Sequence, residues 1–221
     1  MCSVAGVDGV PGGWVVARVA ERVSWTVCRD AAAVLAATAG CAAVGVDIPL
    51  GLPRTGARRA CDTATAAALG RARAAVFACP PREVLAEPTY EGACAVARRL
   101  TGRAISLQSF HIGPKIREWD ALADRPAHVV EVHPELALRR MAPDVDFAPK
   151  KTARGAGQRM AALARGLDVV GALADLPAGA RLDDVLDALA AAWSARRVAD
   201  GTAERLGEEA DDRGRPMFVA V

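Results

Sequence analysis

Apolar and polar positions fall into distinct rhythms along the chain. Val4, Ala5 and Val7 make an apolar run over residues 3 to 8 that ends on an acid, Asp8. A turn through Pro11, Gly12 and Gly13 leads into a second apolar run over residues 14 to 20. Residues 22 to 28 alternate, as a half-buried strand does. The three segments predict an antiparallel meander. Asp30 is placed to cap a helix over residues 31 to 39, with Gly40 ending it. Residues 42 to 48 are continuously apolar, the pattern of a strand buried on both faces. The helix before it makes a crossover, so this strand is expected parallel to the first.

Residues 50 to 127 break the rhythm. Pro53, Pro80, Pro81, Pro88, Pro114 and Pro126 punctuate helical pieces, two of them at 61 to 69 and 90 to 100. The stretch reads as a helical insertion rather than a separate domain. A strand returns at 127 to 132, followed by a helix over 134 to 141, a basic loop over 149 to 155 and a helix over 158 to 165. Asp183 reads as the N-cap of a last long helix. Its Leu186, Leu189, Ala190 and Trp193 form one apolar stripe. Ala188, Ala191 and Ala192 are small enough to let it approach a sheet closely. Residues 204 to 215 read as a polar tail before a short apolar end at 217 to 221. The expectation is a single α/β domain over residues 1 to 221. It has a mixed five-stranded sheet flanked by helices and a helical insertion at about 50 to 127, after the fourth strand. That element order is the order of the ribonuclease-H-like fold.

Composition adds limits. The chain has 221 residues and is 52% hydrophobic, enough for a sizeable core, and only 4% aromatic, so the core is expected to pack through small side chains. A net charge of +2 points to no partner by bulk electrostatics. Arginines crowd the middle, including Arg54, Arg58, Arg59, Arg71, Arg73, Arg82, Arg98, Arg99 and Arg103. They suit solvated helix faces or a groove for a phosphate backbone. The six cysteines form no C-x-x-C pair, which argues against a zinc or thioredoxin motif. No secretory pattern and no apolar stretch of membrane-spanning length is visible, so a cytoplasmic protein with reduced thiols is expected.

The acids carry the chemistry. Asp8, Asp47 and Glu131 each sit in or at the end of an apolar strand, and Asp184 and Asp187 lie three apart on the last helix. Isolated buried carboxylates are costly, so a cluster of them calls for a cation. Oxygen-only ligands select Mg²⁺ or Mn²⁺ over zinc. Two such ions roughly 3.5–4 Å apart can clamp both oxygens of an in-line phosphoryl displacement. Asp8, Asp47, Glu131 and Asp187 are the expected catalytic ligands. All but Asp187, a full turn inside its helix, also have a plainer reading. Asp8 and Asp47 suit turns, Glu131 suits a buried pair with an arginine, and Asp184 suits the first turn of its helix. Arg82, Gln108 and Lys115 are candidate substrate contacts. Arg82 and Lys115 would hold phosphate, or pair with one of the acids. His111 and His133 read as structural. Lys150, Lys151 and Arg154 read as a solvated loop, with contact to a nucleic-acid backbone as the sharper alternative.

Several segments resemble one family. They are residues 6 to 14 (GVDGVPGGW), 47 to 53 (DIPLGLP), 76 to 82 (VFACPPR), 108 to 116 (QSFHIGPKI), 131 to 135 (EVHPE) and 183 to 190 (DDVLDALA). In that order they resemble the domain of unknown function 429 family, whose members are described as predicted ribonuclease-H-like nucleases. The resemblance implies metal-ligand roles for Asp8, Asp47, Glu131 and Asp187. The closing helix also looks like that of Holliday-junction resolvases of the same fold, where two acids lie three apart, and this adds Asp184. Val10 stands where members often carry Cys, which removes a thiol role from that loop.

The expected function is therefore a Mg²⁺- or Mn²⁺-dependent nuclease acting on DNA or RNA, with a homodimer attractive if cleavage is symmetric. Two other classes fit the pattern. An actin-like or sugar-kinase-type nucleotide-binding phosphotransferase also begins with an acid before a Gly-rich hairpin, and tight ATP binding would favour it. A non-catalytic nucleic-acid-binding protein on the same fold would bind nucleic acid without metal.

Overall fold

The computed structural model describes residues 2–53, 58–122, 124–177 and 179–221, so Arg54 lies outside the described residues. The chain begins with β1 (Val4–Val10), β2 (Gly13–Val19), β3 (Val23–Cys28), α1 (Ala31–Ala37) and β4 (Val44–Val46). Next come α2 (Ala60–Leu69), a 3₁₀ turn (Gly70–Ala75), α3 (Arg82–Leu85), α4 (Tyr90–Thr101) and α5 (Leu107–Asp120). It ends with β5 (Val129–Val132), α6 (Pro134–Met141), α7 (Ala153–Leu163), α8 (Val169–Ala174), α9 (Leu182–Ala199), β6 (Arg205–Ala210) and β7 (Pro216–Ala220). The architecture is α/β, a mixed sheet with flanking helices. The chain divides into two compact units: residues 1–47, 125–204 and 220–221 form the first, and 48–124 with 205–219 the second.

In the first unit the strands lie in the order β3-β2-β1-β4-β5. The meander β1–β2–β3 is antiparallel, while β4 runs parallel to β1 and β5 parallel to β4. The first hairpin closes tightly, with Val10 opposite Gly13. Gly12 takes φ 76° after Pro11, the left-handed position that a turn of this kind reserves for glycine. Asp30 caps α1 as expected, its Oδ1 accepting from the Ala33 N–H at 2.8 Å.

Helix α9 lies directly on the central strands. A Cβ on Gly6 would stand 2.0 Å from the Ala188 carbonyl oxygen, and one on Gly45 2.5 Å from that of Ala191. The glycines of β1 and β4 and the alanines of α9 thus let backbone meet backbone. Farther along, Val4 packs with Ala192 and Ala195. The pairing of residue 4 with 192 and 195, and of residue 6 with 188 and 192, fixes the direction: α9 runs antiparallel to β1. Its N-terminal turns therefore cover the end of β1 that carries Asp8. The helix begins at Leu182 after Arg181, which contributes no side-chain cap; Asp183, the expected N-cap, is instead the second residue of the first turn.

The second unit corrects the expected strand count. The described residues contain seven strands rather than five, because residues 205 to 220, read as a polar tail and a short end, form the hydrogen-bonded neighbours β6 and β7. Strand β6 is short, charged and nowhere fully buried, so hydropathy hides it. It packs on α2 instead. Glu209 accepts from the Ala60 N–H at 2.7 Å, supplying the N-terminal acceptor that Arg59 does not. Gly207, at φ 63°, lies where a Cβ would sit 2.3 Å from the Cys61 nitrogen. Leu206, Met217 and Val219 complete a small core around Cys61.

Asp120, at the end of α5, organises the charges of this unit. Arg82 grips it in a fork, Nε to Oδ2 at 2.9 Å and Nη2 to Oδ1 at 3.0 Å, and Arg215 bonds the same carboxylate. Burial pushes the Asp120 carboxyl up, but Arg82 and Arg215 outweigh it and hold the group down at about 2. A depressed carboxylate stabilises the fold fully above its unfolded value near 3.9 and loses that contribution as pH falls through the folded value. Acid melts from about pH 5 to about pH 2 should therefore show a loss on the order of 2 kcal/mol assigned to this group. In Asp120→Asn that component should vanish, from a baseline already lowered because Arg82 and Arg215 keep Asp212 and Asp211 but lose the carboxylate they share. An unaltered acid profile in the variant would remove Asp120 from this role.

Candidate metal centre

The carboxylates are placed by strand register. Parallel pairing sets Gly6 against Gly45 and Val7 against Val46. The Asp47 N–H donates to the Val7 carbonyl at 3.0 Å, which carries the ladder one residue beyond β4. Side chains alternate across a strand. Asp8 therefore shares the face of Gly6, and Asp47 the face of Gly45, and both of those glycines contact α9. The helix supplies Asp187 and Asp184, three apart on neighbouring surface. Asp8, Asp47, Asp184 and Asp187 thus converge from β1, the end of β4 and the start of α9, all within the first unit.

Their electrostatics agree with that placement. Burial, then the charges of Asp47 and Asp187, push the Asp8 carboxyl well above the usual carboxylate range, although the Gly9 N–H donates to its Oδ1 at 2.7 Å. Burial and Asp187 push Asp47 up to about 8, against the pull of Lys150. Asp184 is raised by burial and by Asp183. Asp187 is raised by burial even though Lys150 opposes the shift. The Oδ2 of Asp184 is buried without a hydrogen-bond partner.

Glu131 is out of phase with this set. It pairs with Val46 in register, whereas its neighbour Val132 lies 3.0 Å from the Gly45 Cβ position on the α9 face. By alternation the Glu131 side chain leaves the other face of the sheet. Its charge still raises Asp47, as the weakest of that group's influences. The expectation that Glu131 lies beside Asp8 is corrected by one residue of pleat.

Arg82, Gln108 and Lys115 all belong to the second unit. The Arg82 guanidinium is engaged by Asp120 and Asp212, neither of them an acid of the expected cluster. Gln108 is exposed in the first turn of α5, and Lys115 is half-buried farther along that helix. His133 caps α6, its Nδ1 accepting from the Leu136 N–H at 3.4 Å, a structural role as expected.

Sequence reasoning undervalued Lys150. Its Nζ lies 2.8 Å from Asp187 Oδ2, and Asp8 and Asp47 also act on its charge. A Lys-Lys pair after proline, shortly before a helix, was the available signal, but it does not say which way the side chains point. Chemically, the site gathers four acids beside one ammonium group, with the charges of Arg159 and Arg181 also acting on Asp187 and Asp184. Oxygen donors with an orphaned buried carboxylate oxygen are the chemistry a hard divalent cation takes, although among the described residues no three of these acids bring ligand atoms within 4.8 Å of one another.

Among the described residues, no helix is long and apolar enough to cross a membrane. Neither the curated proteins nor the solved structures returned a match to the chain. One family does match, over residues 6–212, a span that takes in every acid of the cluster. The chain belongs to the DUF429 family, proteins of unknown function.

Proposed function

We propose that the chain is a Mg²⁺- or Mn²⁺-dependent nuclease on a ribonuclease-H-like core. The observation that carries this reading is the convergence of Asp8, Asp47, Asp184 and Asp187 on one face of the sheet, with carboxyls raised by burial and by the charges of neighbouring acids. Such a cluster is stable as anions only with more positive charge than Lys150 and the more distant Arg159 and Arg181 provide. The strand order β3-β2-β1-β4-β5, with a late helix bringing its acids to the ends of β1 and β4, supports the fold assignment.

Asp8, Asp47 and Asp187 would hold the cations, with Asp184 alongside. Bound divalent ions supply Lewis acidity and charge neutralisation at a phosphodiester. The residues supply rigidity. Asp8 sits on a strand paired on both sides and is oriented by the Gly9 N–H. Asp187 is locked on a helix in backbone contact with that strand. Glu131, on the opposite face, tunes Asp47 through charge and is proposed as a supporting acid rather than a direct ligand. Nucleic acid is the proposed substrate class, because Lys150, Lys151 and Arg154 give a basic border to the acidic site.

Crystals soaked in millimolar Mn²⁺ test the reading through anomalous scattering. One or two peaks against Asp8, Asp47 and Asp187 are expected. A map without peaks at these residues, from protein that also cleaves neither DNA nor RNA, would sink it.

A further inference from the structure

The loop before α7 is built with more care than a solvated connection needs. The Ala148 N–H donates to Gln158 Oε1 at 2.8 Å, and Gln158 Nε2 donates to the Asp146 carbonyl at 3.2 Å. Arg159 Nη1 donates to the Ala148 carbonyl at 2.8 Å while its Nη2 reaches Glu135 at 2.6 Å. Thr152 donates from its hydroxyl to the Pro149 carbonyl at 2.8 Å and caps α7 through Gly155. Gly155 is required here, since a Cβ would stand 2.2 Å from the Pro149 carbonyl oxygen. Backbone on both sides of Lys150 is therefore fixed, yet its side chain is 45% exposed. A pinned base under a half-exposed ammonium places Lys150 at the edge of the carboxylate cluster, with one hydrogen bond, to Asp187, holding it there.

We propose that Lys150 is a two-position residue of this site. It neutralises Asp187 in the metal-free protein, and it moves to a non-bridging oxygen of the substrate phosphodiester when divalent cations take Asp187 over. The inference rests on the metal-dependent nuclease reading. A divalent cation on Asp187 neutralises the charge that holds the ammonium and repels it, so the lysine is released. The ammonium then lies beside the cations on an anchored loop, and the ligand within its reach that needs a positive charge is the phosphate being bound. Lys151 and Arg154, both exposed on the same segment, extend the positive border along the substrate backbone.

The two positions predict effects of opposite sign. Mn²⁺ affinity should rise about two- to fivefold in Lys150→Met, since a half-exposed competitor for Asp187 has gone. Affinity for a short labelled duplex, DNA or RNA–DNA hybrid, measured in Ca²⁺ as the binding-only cation, should fall. Its log–log salt slope should flatten by about 0.7–0.9, the mark of one lost phosphate contact. Lys150→Arg keeps the charge and should keep the wild-type salt slope. If both affinities fall together, Lys150 is a structural pin and the assignment is overturned; an unchanged salt slope overturns it too. Wild-type protein that binds no Mn²⁺, or no oligonucleotide, refutes the nuclease reading itself and the inference with it. That failure is told apart because it does not depend on residue 150.

Discussion

Asp8→Asn is expected to lower metal-dependent phosphodiester cleavage by about 10³-fold or more and leave the fold intact. Asn keeps the size of the side chain and its acceptor for the Gly9 N–H. It removes the negative charge at the position where β1, β4 and α9 meet. The same change should make the metal-free protein no less stable, because the Asp8 carboxyl is under strain from burial, Asp47 and Asp187. Loss of activity without loss of stability separates a ligand from a turn residue. Initial rates at saturating Mn²⁺, paired with melts in EDTA, measure both. Glu131→Gln is the control. From the other face of the sheet it should cost about 10- to 100-fold, as supporting residues do. Equal effects at residues 8 and 131 would contradict the register described above, and full activity in Asp8→Asn would end the mechanism.

Much of this arrangement was legible in the chain because the physical requirements are local. Apolar runs that reach an acid, and alanines at 188, 191 and 192, together point to a helix pressed onto a sheet beside carboxylates. Asp187, a full turn inside its helix, has no capping role to explain it away. What escaped prediction depends on contacts distant in sequence. The phase of Glu131 is set by which valine of β5 meets Gly45, and a one-residue difference reverses a side chain. Strand β6 is recognisable only beside α2, where Gly207 and Glu209 meet the helix start. Arg82 looks like a phosphate ligand until Asp120 and Asp212 are found in its grip. Lys150 is the mirror case, unremarkable in sequence and defined by the aspartate it reaches.

Metal-free protein should lose stability as pH rises from about 5 to about 8, and Mn²⁺ should reverse that loss. The sign follows from the direction of the shifts. Asp47 is raised to about 8, and Asp8, Asp184 and Asp187 are raised with it. Between the unfolded value near 3.9 and the folded one, the native state holds protons that the unfolded chain has released. Their contribution is complete below the unfolded value and gone above the folded value. The total is on the order of a few kcal/mol, limited by Lys150, which offsets part of the repulsion. The Asp120 pairs do not confuse the measurement, because that group is ionised in both states above about pH 5. A divalent cation binds the ionised cluster, so it stabilises more at high pH, by about 2.7 kcal/mol at one hundred times its Kd. Melts in EDTA and in Mn²⁺ at several pH values should therefore diverge upward through neutrality. Asp47→Asn should flatten the EDTA curve and shrink the Mn²⁺ gain together. Parallel curves, or EDTA melts that rise with pH, would mean that the carboxylates are already neutralised by the protein, and the case for a metal centre would fall with them.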